Sequence, residues 1–504
     1  MLDDNSYAVI AMQNLVDGNG YSLKQVFSND LSQIRNLPLQ NWPPGYSIIL
    51  APFYIIFKHN YLAAAITVDL LFGSVLIFYS RKILLLFKIP DKLIALYLVM
   101  TSLFIYSFYI IPSTDAICAS LCIIATYYTL RSYHLTKSRP TYIAAISISL
   151  FMCGMLKYLF IPLIFILPFF MIVSGRLKNE KSLLKAGIII FLFLLFFIGC
   201  FLVYQKSIFG STGYISATGR GFYPTHLLNF FPLVPASLIK QDTIQIITGI
   251  DFSYINIIYQ IIHLISCIIL IIIAIKLFRI GINNFNSVIF FYFIFIVFLL
   301  FTTIILGYLS LNVEKEEIVP GKFWTYIEEP RYYSVVTVFF HLLIFLGYYQ
   351  FRNYRNRLIQ YIFIFLLGTI GIESIRGSIF LFNRINNFKQ EEYSWQRELR
   401  FQQFADQLIQ KEQLKWQEQN IAVTSSLFYY ASRVSIYNKI PLLWDASIIN
   451  DISKIKTKQP VILMVIIKED HKETYKSFLD KNTASFIGKF DECTFYSIYI
   501  SPSK

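Results

Sequence analysis

From residue 61 onward the chain reads as long apolar runs separated by short polar loops. Runs long enough to span a bilayer fall at 61–87, 93–111, 116–131, 141–157, 158–174, 184–205, 254–276, 287–310, 332–350 and 357–382. A spanning helix needs about 20 mainly apolar residues, fewer at the short end. Only helices can carry so much backbone through lipid, so the pattern predicts a bundle of about ten transmembrane helices. The fourth and fifth runs are divided only by Lys157. A shorter run, PPGYSIILAPFYIIFK at 43–58, is interrupted by Pro52. Ahead of it, Asp3 and Asp4 stand just before a helical pattern that places Tyr7, Ile10, Ala11, Asn14 and Leu15 on one face, and Gly18 to Gly20 stop it.

Charge orients the bundle. If 43–58 lies flat at the interface, the loops 81–92, 131–140, 175–185, 276–286 and 351–357 share one side. They carry Arg81, Lys82, Lys137, Arg176, Lys276 and Arg352 among other cations, as the positive-inside rule requires of the cytoplasmic face. If 43–58 spans instead, RKILLLFKIPDK falls outside, against that rule. The interfacial reading puts residues 1–44, the turn 112–115, the loops 206–253 and 311–331 and the tail from 383 outside the cytoplasm. A first region of 1–60, a bundle of 61–382 and a tail of 383–504 follow.

Composition agrees with a membrane protein: 56% of residues are hydrophobic, 15% are charged, and mean hydropathy is +0.55. The net charge of +14 sits in the short cytoplasmic loops, so it calls for no nucleic acid partner. The six cysteines and six histidines form no CxxC or HExxH site. The tail changes character. A polar Gln- and Glu-rich helix over 391–419 precedes expected strands at 421–426, 435–439, 461–468, 484–490 and 493–500, with a helix over 471–481. That order predicts a small extracytoplasmic α/β domain.

The candidate chemistry gathers on the outer face. Asp3 and Asp4 are adjacent carboxylates, Asp115 opens a helix in PSTDA, and Lys157 closes another in GMLKYLFIP. Arg220 sits in the Gly-rich loop GSTGYISATGRGFY, and Arg331 and Tyr332 in EEPRYY. Cations there can clamp a phosphate. Carboxylates can take a proton from an attacking hydroxyl or hold a divalent metal through oxygen. Helix N-caps compete as readings of the aspartates, snorkelling as a reading of Lys157, and interfacial anchoring as a reading of Arg331.

An acidic pair before an A..NL..GNGY pattern, then WPPGY, then TDA opening a helix, then a late PRYY, resembles the GT-C superfamily of membrane glycosyltransferases. The nearest groups are the bacterial protein O-mannosyltransferase-like and aminoarabinose-transferase-like enzymes. The resemblance covers about residues 1–380. It implies a GT-C-like bundle in a bacterial inner membrane and a polyprenyl-phosphate sugar donor. It also implies inversion at the sugar carbon and a lipid, glycan or protein acceptor. By position, Asp3 is then the acid-base carboxylate with Asp4 beside it, and Asp115 is a second acidic residue. Asp3 and Asp115 are the candidate ligands of a divalent metal. Lys157 and Arg331 face the donor phosphate with Tyr332; Arg220 joins them from loop chemistry alone. Family members carry a transmembrane helix ahead of the acidic pair, so we expect one upstream of Met1. The rival classes are a flippase of lipid-linked glycans, for which Asp69 inside 61–87 speaks, and a non-catalytic membrane scaffold.

Overall fold

The computed structural model describes residues 3–40, 42–106, 114–135, 139–210, 232–284, 287–311, 316–319, 322–324, 334–352, 357–386, 395–426, 428–443, 455–481 and 484–502. They form two compact units, one of Met1–Ala65 with Arg384–Lys504 and one of Ile66–Asn383.

The second unit is helical. Its described part begins within α3 (Tyr61–Leu86) and continues through α4 (Asp91–Tyr106), α5 (Thr114–Leu135) and α6 (Pro140–Leu156). After two short 3-10 turns come α7 (Ile166–Leu177) and α8 (Lys181–Phe209). Longer helices follow at Phe252–Asn284, Ser287–Leu311, Ser334–Phe351 and Arg357–Asn386. The described part of each of the ten expected runs is therefore helical. Among the described residues six stretches are long and apolar enough to cross a membrane: Tyr61–Leu86, Tyr158–Leu177, Lys181–Phe209, Tyr254–Lys276, Phe291–Tyr308 and Arg357–Asn383. The chain is a multi-pass membrane protein. Small residues bring neighbouring backbones together, as helix packing in lipid favours. A Cβ on Gly175 of α7 would stand 2.4 Å from the Leu184 backbone nitrogen of α8. The stretch 206–253, read as loop, contains the last turn of α8 and the short helices Leu233–Ala236 and Gln241–Thr248. The stretch 311–331 contains a two-stranded ribbon, β3 (Glu316–Val319) with β4 (Lys322–Trp324).

The first unit joins both ends of the chain. Helix α1 (Asp3–Val16) ends where expected, and Gly18 and Gly20 take the positive φ values of 83° and 72° that favour glycine. A hairpin follows, β1 (Ser22–Phe27) and β2 (Asp30–Pro38). It belongs to a seven-stranded mixed sheet with β5 (Ile421–Ser425), β6 (Leu442–Leu443), β7 (Val461–Lys468), β8 (Ser485–Phe490) and β9 (Cys493–Ile500). The order is β2-β1-β6-β5-β7-β9-β8, and β1 runs parallel to β6.

Strand β7 is central. Its first seven residues are buried, as the continuous run VILMVII requires of a strand covered on both faces. Val461, Leu463, Val465 and Ile467 join Val26, Phe478 and Ile498 in one core. Across the sheet, Phe401 and Phe404 of the helix Trp395–Trp416 pack on Phe495 with ring centroids 6.0 and 5.4 Å apart. Helix α2 (Gly45–Ile56) buries Tyr46, Ser47, Leu50 and Tyr54, and Ser47 Oγ donates to the Ala8 carbonyl at 2.6 Å. Its other side exposes Ile48, Ile55 and Ile56.

One expected strand is corrected. Residues 435–439 are no strand: the helix Phe428–Asn438 runs through them. Tyr430, Ala431 and Val434 are buried at helical spacing, and the Ser425 hydroxyl caps the Ala431 N–H at 3.1 Å. The segment SIYNK alone is too short to display that period.

Candidate functional site

Asp115 is the second residue of α5, where the unpaired amides and the helix dipole favour a negative charge. It is 2% exposed. Lys157 follows the last residue of α6 and leaves the helix in an extended conformation, φ −156° and ψ 129°. Farther on, Pro162 has no N–H to give the Tyr158 carbonyl, which accepts the Ile161 N–H at 3.1 Å instead. The chain instead makes the 3-10 turns Tyr158–Phe160 and Leu163–Phe165. Freed from the helix, Lys157 places its Nζ 2.7 Å from Asp115 Oδ1, with side chains 17% and 3% exposed. In apolar surroundings an ion pair this short is maintained because neither charge can be left alone. Next to it, Gln205 of α8 donates its side-chain amide to the Tyr158 hydroxyl.

The expected site residues divide. Asp115 and Lys157 meet. Asp3 and Asp4 open α1 in the first unit, and only their backbone is among the described residues. Arg220, Arg331 and Tyr332 lie outside the described residues. Among the described residues no three His, Cys, Asp or Glu side chains converge on a possible metal position. Asp115 itself faces an ammonium through Oδ1.

A second ionic cluster in the helical unit was not anticipated. Glu373, fully buried in the helix Arg357–Asn386, accepts the Lys240 N–H at 3.1 Å and the Thr243 hydroxyl at 2.5 Å through Oε2. It therefore caps the start of Gln241–Thr248 from another helix. The Lys240 ammonium lies 3.5 Å from Oε1, and the Arg376 guanidinium 3.8 Å from it. Arg376 also donates to the Thr243 hydroxyl and reaches Asp242 at 4.0 Å. The sequence signal is Glu373 and Arg376 three residues apart in an apolar run, a spacing that puts both on one helix face. Close by, His341 stands between Thr101 Oγ1 at 3.1 Å and the Ser237 carbonyl at 2.8 Å.

Chemically, Asp115 and Lys157 offer a positioned cation beside a carboxylate. An incoming anion can share the Lys157 ammonium with Asp115. The Lys240–Glu373–Arg376 cluster already balances two cations against Glu373 and Asp242, so it serves as a staple.

No family model matches the chain, and no curated protein matches it. Solved structures similar to it include two of one protein. The crystal structure of ArnT from Cupriavidus metallidurans bound to undecaprenyl phosphate is 12% identical, with a TM-score of 0.45 over 99% of this chain and 93% of that one. The same protein in its apo state is 13% identical, with a TM-score of 0.42 over the same shares.

Proposed function

We propose that the chain is an inverting membrane glycosyltransferase of GT-C type. It moves a sugar from a polyprenyl-phosphate donor to a lipid, glycan or protein acceptor at the outer face of a bacterial inner membrane. The first unit, with the C-terminal strands, lies on that outer side.

The observation that carries this reading is the 2.7 Å pair of Lys157 and Asp115 at two helix ends in an apolar bundle. A lipid-phosphate leaving group gains charge as the glycosidic bond breaks, and a pre-positioned ammonium stabilises that charge most where water is scarce. Lys157 has that role, and Asp115 holds it in place until the donor arrives. Arg220, Arg331 and Tyr332 add contacts to the phosphate. Asp3 takes the proton from the acceptor hydroxyl, with Asp4 beside it. The order of the sequence motifs from the acidic pair to PRYY supports the same reaction.

The test uses purified full-length protein with radiolabelled polyprenyl-phosphate sugars and a membrane extract as acceptor. Label should move to one acceptor fraction with the wild type and stay on the lipid with the folded Asp3→Asn/Asp4→Asn variant. Undiminished transfer by that variant overturns the assignment of the base. Absence of transfer with every donor, while donor lipid crosses the bilayer of protein-bearing liposomes, overturns the reaction itself.

A further inference from the structure

The first unit contains a cleft of about 380 Å³. That is within the range of ligand pockets, roughly 300–1,000 Å³. Its walls are the helix Trp395–Trp416, strand β2, the entry to β5 and the turn at 438–441.

The chemistry of the walls is narrow. Five carboxamides line the cleft: Gln410 and Gln413, three residues apart on one helix, with Gln419, Asn420 and Asn438. Each amide presents a donor and an acceptor side by side. Gln413 is partly engaged, through Nε2 to the Gln419 carbonyl at 3.2 Å, and Asn420 through Nδ2 to the Pro460 carbonyl at 3.4 Å. The Asn438 amide nitrogen is buried and has no hydrogen-bond partner.

The charges in the cleft are mostly committed. Lys439 pairs with both carboxylate oxygens of Asp17 at 3.0 and 2.8 Å, and Lys24 Nζ donates to the Lys439 carbonyl at 3.0 Å. Lys439 also holds a left-handed backbone, φ 54°, uncommon for a residue with a side chain. Three constraints thus fix the turn that presents Asn438. Asp406 is the remaining ionisable group of the lining, and burial pushes its carboxyl up, toward the neutral form. Between the amides, Ile34, Ile409 and Ile440 supply apolar surface.

We propose that this cleft is a binding site for a neutral saccharide. Paired donors and acceptors match vicinal hydroxyls, and the isoleucines match the C–H face of a sugar ring. A phosphorylated ligand would find its cations already occupied. As a binding site the cleft stands independently of the transferase reading; that its ligand is the acceptor's glycan rests on that reading. Binding measured without donor separates the two.

The experiment is calorimetric titration of the full-length protein in detergent. The probes are the methyl glycosides of glucose, galactose, mannose and N-acetylglucosamine, the corresponding disaccharides, and tri-alanine as a peptide control. At least one sugar should bind saturably. Gln410→Ala/Gln419→Ala, both at exposed positions, should weaken it about tenfold or more. Gln410→Trp should abolish it by filling the cleft. Thermal melting confirms that each variant is folded. Absence of binding by every sugar at about 10 mM, well above a millimolar Kd, overturns the proposal. So does undiminished binding by the folded Gln410→Trp variant, or tighter binding of tri-alanine than of any sugar.

Discussion

Lys157 and Asp115 are 42 residues apart in sequence and 2.7 Å apart in space, each at the end of its own helix. Lys157 is available because α6 ends at Leu156 and the backbone turns extended at Lys157. Asp115 is available because a first-turn carboxylate points out of α5 rather than along it. The arrangement predicts strong coupling. Lys157→Met leaves a buried carboxylate without its cation, and loss of one partner of a buried pair costs about 3–5 kcal/mol. Asp115→Asn combined with Lys157→Met should recover most of that stability while remaining inactive. A double-mutant cycle on denaturant unfolding in micelles checks this. Additive losses would show that the pair is not coupled.

Glu373 offers a second, graded test. Glu373→Ala removes the acceptor for the Lys240 N–H and Thr243 and leaves two cations facing each other, so it should cost about 3–5 kcal/mol. Glu373→Gln keeps an oxygen for Lys240 N–H and Thr243 and loses only the charge. Its cost should be roughly 1–3 kcal/mol. The comparison is made by unfolding both variants under identical detergent conditions. Equal costs would mean that the capping bonds contribute little.

Several parts of this molecule were legible in the sequence because their cause is local. A run such as 184–205 is apolar over its whole length, so helix α8 follows from composition. VILMVIIK is β-branched and too short for a spanning helix, so β7 follows too. The hairpin β1–β2 was not legible. Its partner β6 is two residues long, and Gln25 pairs with Leu442 more than 400 residues later. A stretch such as SLKQVFSNDLSQIRNLP therefore reads as loop until its neighbour is known. The same distinction governs the sites. Asp115 and Lys157 are legible as members of one outer-face group because each interrupts an apolar pattern near its end, but their direct pairing is not. Lys240 was hidden among polar loop residues, and Glu373 in the middle of a run read only for its hydrophobicity.

Asp30 ties the hairpin to the C-terminal strands, and its pH dependence can be stated with its sign. Its carboxylate accepts the Ser32 hydroxyl at 2.6 Å, the Ser32 N–H at 3.1 Å and the Lys458 N–H at 3.2 Å. The Ser32 hydroxyl is the largest of the influences that hold its pKa below the usual carboxylate value. A depressed folded-state pKa contributes stability that is present above the unfolded pKa, about 3.9, and is lost as pH falls through the folded value. The melting temperature of wild type should therefore exceed that of Asp30→Asn by a constant amount above about pH 5 and lose that margin below about pH 4. A margin unchanged down to the lowest pH tolerated would show that the carboxylate's charge is not what matters.

Gly377 gives the sharpest prediction about the bundle. A Cβ there would stand 2.1 Å from the Leu103 carbonyl oxygen of α4, a backbone atom that cannot rotate away. Gly368, on the same helix, has nothing within 4 Å of the corresponding position. Alanine at residue 377 must push two helices apart, and overpacking of that kind costs about 1–3 kcal/mol, occasionally more. Alanine at residue 368 meets open space, and in an exposed helix interior it is favoured over glycine by up to about 1 kcal/mol. The two substitutions are chemically identical and nine residues apart, so their opposite signs isolate the close approach from any general effect of alanine. Thermal unfolding of Gly368→Ala and Gly377→Ala in the same detergent reads the difference. A loss at both positions would mean that lipid or a neighbouring chain covers Gly368, and a gain at both would mean that α4 is not held against Gly377.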